Sequence, residues 1–124
     1  MAPDDAYEAF RTGSELLAAK DFHAAAVPLR RARELAPDKA SVREALGRAL
    51  FHSGHFTEAA SEFEAVLDHH ATNDYALFCL GRCLQQLGRH AEARAPLSLA
   101  FRLRPERADY RLYRDRALRD ARAA

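Results

Sequence analysis

Apolar residues along this chain recur at helical spacing. Leu77, Leu80, Leu84 and Leu87 step by three, four and three on one helix face, Gly88-Arg89 interrupts, and Ala93, Leu97, Ala100 and Leu103 form a second stripe. Two amphipathic helices with so short a break between them predict an antiparallel hairpin. Gly54 and Gly88 stand where the first helix of a hairpin must stop, since glycine tolerates the left-handed conformation of a helix C-terminus. The matching upstream position is Lys20, at some strain, followed by Asp21, a good N-cap. Pro37-Asp38, Thr72-Asn73-Asp74 and Pro105-Glu106 supply the breakers, caps and acids that separate one hairpin from the next.

The pattern has a period of 34 residues. It links Gly13, Gly47 and Gly81; Ala25, Ala59 and Ala93; Leu29, Phe63 and Leu97; Leu16, Leu50 and Leu84; Ala32, Val66 and Ala100; and, across a gap, Pro37 and Pro105. Three hairpins follow, over about 4–37, 38–71 and 72–105. A glycine inside a helix gives up roughly 1 kcal/mol of propensity against alanine. The repeated glycines therefore predict a neighbouring helix too close for a side chain, with Ala25, Ala59 and Ala93 expected to face them. Phe22, Phe56 and His90 are expected to plug the turn ends. Pro28 and Pro96 share one repeat position, and each removes a helical hydrogen bond. His69, in register with Leu35 and Leu103, is expected to be half-buried.

After residue 105 the register fails, since Asp115 follows Gly81 and Arg114 follows Leu80 by one period. A single amphipathic helix over about 106–122 remains. It carries Tyr110, Tyr113, Ala117 and Ala121 on one face and Arg111–Asp115 and Arg116–Asp120 as i,i+4 pairs, and reads as a cap on an open stack.

Leu80, Gly81, Leu84, Gly88, Ala93, Leu97, Ala100 and Pro105, with the matching residues of the two preceding repeats, resemble the tetratricopeptide repeat family. The resemblance covers about residues 4–105 and implies an all-α fold: a right-handed superhelix of three antiparallel helix hairpins with a C-terminal capping helix, one domain over 1–124. It further implies a concave groove lined by first helices. Repeat one would contribute Tyr7, Phe10, Arg11, Ser14, Leu17 and Ala18. Repeat two would contribute Ser41, Glu44, Ala45, Arg48, Phe51 and His52, and repeat three Tyr75, Phe78, Cys79, Arg82, Gln85 and Gln86. Arg48 and Arg82, one period apart, are expected to stack along it and to hold a carboxylate or an acidic segment.

Composition narrows the function. A length of 124 residues excludes a multidomain enzyme, and 19 Lys+Arg against 18 Asp+Glu leave +1, too little field to draw nucleic acid or an anionic membrane. Cys79 and Cys83, four apart on one helix, are poorly placed for a disulfide. Met1-Ala2-Pro3-Asp4-Asp5 has no basic or apolar leader character, and no window reaches about 18 uninterrupted apolar residues. The expectation is a bacterial cytoplasmic protein.

No phosphate-binding glycine loop, nucleophile elbow or H-E-x-x-H motif occurs, and the six histidines and two cysteines have no metal-ligand spacing. No enzyme, cofactor or metal is expected. The positions at which family members clamp chaperone C-termini with Lys, Asn and Arg are here Phe10, Ser14, Ala45, Tyr75 and Cys79, which disfavours that ligand. Leu67-Asp68-His69-His70 through Leu80-Gly81-Arg82-Cys83 is similar to three-repeat chaperones of type III secretion, without their N-terminal extension. The expected function is an adaptor or chaperone-like module that binds a peptide segment of a partner protein. The alternative is a self-associating subunit, a homodimer for example, joined by exposed aromatics including Tyr110 and Tyr113.

Overall fold

A computed structural model describes residues 4–123; the Met1-Ala2-Pro3 leader lies outside them. Seven helices are described: α1 Asp4–Ala18, α2 Phe22–Leu35, α3 Ala40–His52, α4 Phe56–His69, α5 Asp74–Gln86, α6 His90–Leu103 and α7 Ala108–Ala123. No strand occurs among the described residues. Two compact units divide the chain, Met1–Glu62 and Phe63–Ala124.

In the first unit α1 packs on α2, α2 on α3, and α1 also meets α3. Leu17, Ala25, Leu29, Ala32, Val42, Leu46, Ala49 and Leu50 form its interior. A Cβ added to Gly13 would lie 2.6 Å from Leu29 Cδ2, inside van der Waals contact, so the glycine is a condition of the hairpin. The neighbour is Leu29, not the expected Ala25. A helical side chain leans toward its own N-terminus, so Leu29 reaches back over the turn that holds Ala25. The second unit repeats this seat, with Gly81 2.6 Å from Leu97 Cδ2 by the same measure. Here α5 packs on α6, and α7 lies against both. Leu77, Phe78, Leu84, Ala93, Leu97, Ala100, Tyr110 and Ala117 form one apolar cluster.

The turns follow the expected chemistry in part. Gly54 and Gly88 adopt φ +82° and +75°, and Lys20 adopts φ +61° at the equivalent place. Asn73 caps α5, accepting from the Ala76 amide at 3.0 Å. Asp21, expected to cap α2, occupies the cap position without a side-chain cap bond. Pro28 and Pro96 lie inside α2 and α6, which run through them. His69 is exposed, contrary to the packing expected from its register, and ends α4. On α7 the i,i+4 pairs are replaced by neighbours: Arg114 bonds Asp115 at 2.8 Å, and Arg119 lies 3.8 Å from Asp120. Arg116 instead sits 5.0 Å over the Tyr113 ring.

Lys20 carries a β-carbon in the left-handed region, so Lys20→Gly should stabilise the chain by roughly 1 kcal/mol in urea unfolding. Gly54→Ala, with φ +82° and open space around it, should destabilise by about the same amount.

Candidate functional site

The helical period that turns Gly13, Leu17, Val42, Leu46 and Leu50 inward in the first unit turns the remaining faces of α1 and α3 outward. Tyr7 is 65% exposed. Arg11, Ser41, Arg48 and His52 are exposed, while Phe10, Ser14, Glu44 and Phe51 are half-buried. Leu17 and Ala45 belong to the interior. A cavity of about 330 Å³ lies between the beginnings of α1 and α3; Ala6, Tyr7, Phe10, Ala36 and Val42 line it, with Lys39 and Ser41. Of the expected groove residues, Tyr7, Phe10 and Ser41 are thus brought together around one apolar space.

Phe51 and His52 are drawn into the turn-end plug. His52 stacks on Phe22 with centroids 4.4 Å apart, and Phe51 meets His52 and Phe56 edge-on at 5.4 and 5.3 Å. His23 and His55 form a perpendicular pair at 6.2 Å. Among the described residues no group of three or more His, Cys, Asp or Glu could hold a metal ion.

In the second unit α7 takes much of the face that α5 was expected to offer. Phe78 is only 7% exposed, stacked on Tyr110 at 4.6 Å and met edge-on by Tyr113 at 5.5 Å. Its ring belongs to the core rather than to an accessible groove. Arg82 lies 4.2 Å over the Tyr113 ring, and Gln85 Nε2 donates to the Tyr113 carbonyl at 3.1 Å. Tyr75 is half-buried with its ring edge-on to Phe63, and Gln86 is exposed. Tyr110, expected among the exposed aromatics, is fully buried and donates its hydroxyl to Asp74 Oδ2 at 2.7 Å. Self-association cannot use it.

One charged residue escaped the sequence reading. Glu62 is 5% exposed and receives Arg33 Nη1 at 2.6 Å and Arg43 Nη1 at 3.0 Å. Arg43 also donates to the Pro37 carbonyl at 2.7 Å. A buried carboxylate invites a catalytic reading, but two guanidiniums occupy both its oxygens, so it ties α2, α3 and α4 together as an ion triad. The signal was present: Glu62 stands where Pro28 and Pro96 stand in the other repeats.

Two groups hold their protons unusually tightly. Burial, reinforced by the neighbouring Cys79, pushes the Cys83 thiol from 9.0 up to about 12. Burial, with the bond to Asp74 and its charge, raises the Tyr110 hydroxyl well above 10.0. Both shifts oppose ionisation, so neither creates a nucleophile.

The family model for the tetratricopeptide repeat matches residues 10–68 and again residues 45–108. The chain belongs to the tetratricopeptide repeat family. Its all-α fold with α7 as capping helix agrees with solved members. No curated protein matches it. The first tetratricopeptide domain of Spaghetti (RPAP3), bound to the HSP90 peptide SRMEEVD, has TM-score 0.89 at 14% identity, covering 100% of this chain and 98% of that one. The Sgt2 domain of Aspergillus fumigatus has TM-score 0.85 at 15% identity, covering 98% and 81%. The Yersinia enterocolitica type III secretion chaperone SycD, in complex with a peptide of the translocator YopD, has TM-score 0.78 at 17% identity, covering 98% and 93%. At these identities the likeness concerns the fold.

Glu62→Ala should leave two guanidiniums facing each other and cost about 3 kcal/mol in chemical unfolding. The native chain holds the Cys83 and Tyr110 protons more tightly than the unfolded chain, so their contribution is constant in acid and falls as pH rises through 9.0 and then 10.0. Cys83→Ala should remove the first part of that alkaline loss and Tyr110→Phe the second, read as unfolding midpoints across pH. In the same range Cys79, which is half-buried, should react with thiol reagents before Cys83.

Proposed function

We propose that the chain is a non-enzymatic protein-interaction module, an adaptor or chaperone-like protein, that holds a peptide segment of a partner on the outward faces of its first helices. The observation that carries this reading is Tyr7, 65% exposed beside an apolar cavity of about 330 Å³. An aromatic ring left in water next to unfilled apolar volume gains by covering both, and such rings are the usual anchors of interface energy.

The chemistry of the occupant follows from the lining. Phe10, Ala36 and Val42 favour an apolar anchor, while Lys39 at the cavity and the exposed Arg11 and Arg48 on the same two helices favour an acidic neighbour. Ser14 and Glu44 supply hydrogen-bond partners beside them. In the second unit Tyr75, Arg82 and Gln86 are the contributing residues, with Arg82 oriented by Tyr113.

Peptide complexes of the Spaghetti domain and of the Yersinia chaperone support the reading by analogy of fold. They do not extend to the HSP90 peptide as ligand. Phe10, Ser14, Ala45, Tyr75 and Cys79 replace the Lys/Asn/Arg clamp, and Ala45 is buried.

The test is affinity capture with the wild-type chain and with Tyr7→Ala/Arg48→Ala, both checked for equal helicity, followed by measured binding of the captured partner. Loss of an exposed aromatic anchor should weaken that binding about 30-fold, the equivalent of ~2 kcal/mol. Identical partners at identical affinity would refute the site.

A further inference from the structure

The 34-residue period allows one crevice to be compared with the next. In the first unit the space where α2, α3 and α4 meet is spanned by ion pairs: Arg30 to Glu58 at 2.8 Å, and Glu62 held by Arg33 and Arg43. One period later the same register places Glu64 at the position of Arg30, Leu67 at that of Arg33 and Leu77 at that of Arg43. Glu92 takes the position of Glu58, and Pro96 that of Glu62. Each cross-helix pair is thereby lost, and the pairing of Arg30 with Glu58 becomes two carboxylates.

What stands there in the second unit is an open cleft of about 420 Å³. Leu77, Leu80, Leu84, Pro96 and Leu99 form its apolar floor, with Glu64, Glu92 and Arg89 among them. Leu80 and Leu99 remain only partly buried. Arg89 is committed to Glu92 through two bonds, at 2.6 and 2.8 Å. Glu64 is exposed, and among the described residues the direct ion pair of Arg89 goes to Glu92 rather than to it. Glu64 and Glu92 both act on the one Arg89 guanidinium, so two carboxylates against one cation leave the lining acidic, and Glu64 is the one without a direct ion pair.

We infer that this cleft is a second binding surface, separate from the first-helix positions proposed above, and that it takes a partner segment placing a bulky apolar side chain beside a lysine or arginine. The apolar side chain covers the leucine floor, and the cation gives Glu64 a direct ion pair of the kind that Arg30 and Glu58 make within the first unit. An acidic segment meets repulsion there. A purely apolar one desolvates Glu64 without compensation.

The experiment uses the full ¹⁵N-labelled chain and two probes, acetyl-Phe-Arg-amide and acetyl-Phe-Glu-amide. With the arginine probe, saturable amide shifts are expected at Glu64, Leu80, Leu84 and Leu99, with a dissociation constant on the order of millimolar, and at least about tenfold weaker binding of the glutamate probe. Glu64→Arg, which recreates a cross-helix partner for Glu92, should abolish the shifts. Glu64→Gln, which removes charge alone, should weaken binding and keeps the test decisive if the arginine variant folds poorly. Equal response to both probes, binding unchanged in the Glu64 variants, or shifts confined to Tyr7 and Phe10 would overturn the inference. So would the same shifts arising when the chain alone is concentrated, which would make a second copy the occupant.

Discussion

The close approach of paired helices at a glycine governs the rest of this molecule. At Gly13 and Gly81 the absent β-carbon leaves room for Leu29 and Leu97, each fully buried, and with them Ala25, Ala32, Ala93 and Ala100. Once two helices are seated at that distance, the helical period dictates which positions can be apolar and which must face outward. Tyr7, Arg11 and Arg48 are outward because Gly13, Leu17 and Leu46 are inward. The candidate surface is thus a by-product of the packing register, and its side chains are free to vary because the core asks nothing of them.

The same register is reused with different chemistry. One repeat position holds proline twice and a buried glutamate once, and that glutamate gathers Arg33 and Arg43 into a triad. Replacing it with two charges left unpaired is costly, so the triad commits its crevice to internal contacts. The crevice one period later is built from leucine and proline and sets two carboxylates, Glu64 and Glu92, against the single guanidinium of Arg89. In the second unit α7 draws Phe78 and Arg82 of α5 into contacts with Tyr110 and Tyr113, and the Asp74 bond fixes Tyr110 in place. The repeats are alike in backbone and unlike in what they leave available.

What could be read from the sequence was what depends on a single residue's own geometry. Gly54, Gly88 and Lys20 mark turns because only a positive φ satisfies a helix end there, and Gly13 and Gly81 mark close approach because a helix otherwise disfavours them. The partner of those glycines was misassigned, since side chains lean along the helix and Leu29 covers the turn of Ala25. Phe78 was read as groove and Tyr110 as exposed for a related reason. A periodic stripe shows that a helix has a covering face, not which residue more than thirty positions away it covers. The register marks Glu62 as unlike Pro28 and Pro96, but its role was not legible because its partners lie 29 and 19 residues distant.

Steric coupling between glycine and leucine, as at Gly13–Leu29 and Gly81–Leu97, is the central constraint, and a double-mutant cycle on Gly81 and Leu97 measures it directly. Gly81→Ala alone should destabilise by about 1–3 kcal/mol through overpacking, despite a gain of up to ~1 kcal/mol in helix propensity. With Leu97→Ala already made, the same change should become neutral or stabilising, a coupling of at least about 1 kcal/mol. Additive effects of the two substitutions on urea unfolding would contradict the account.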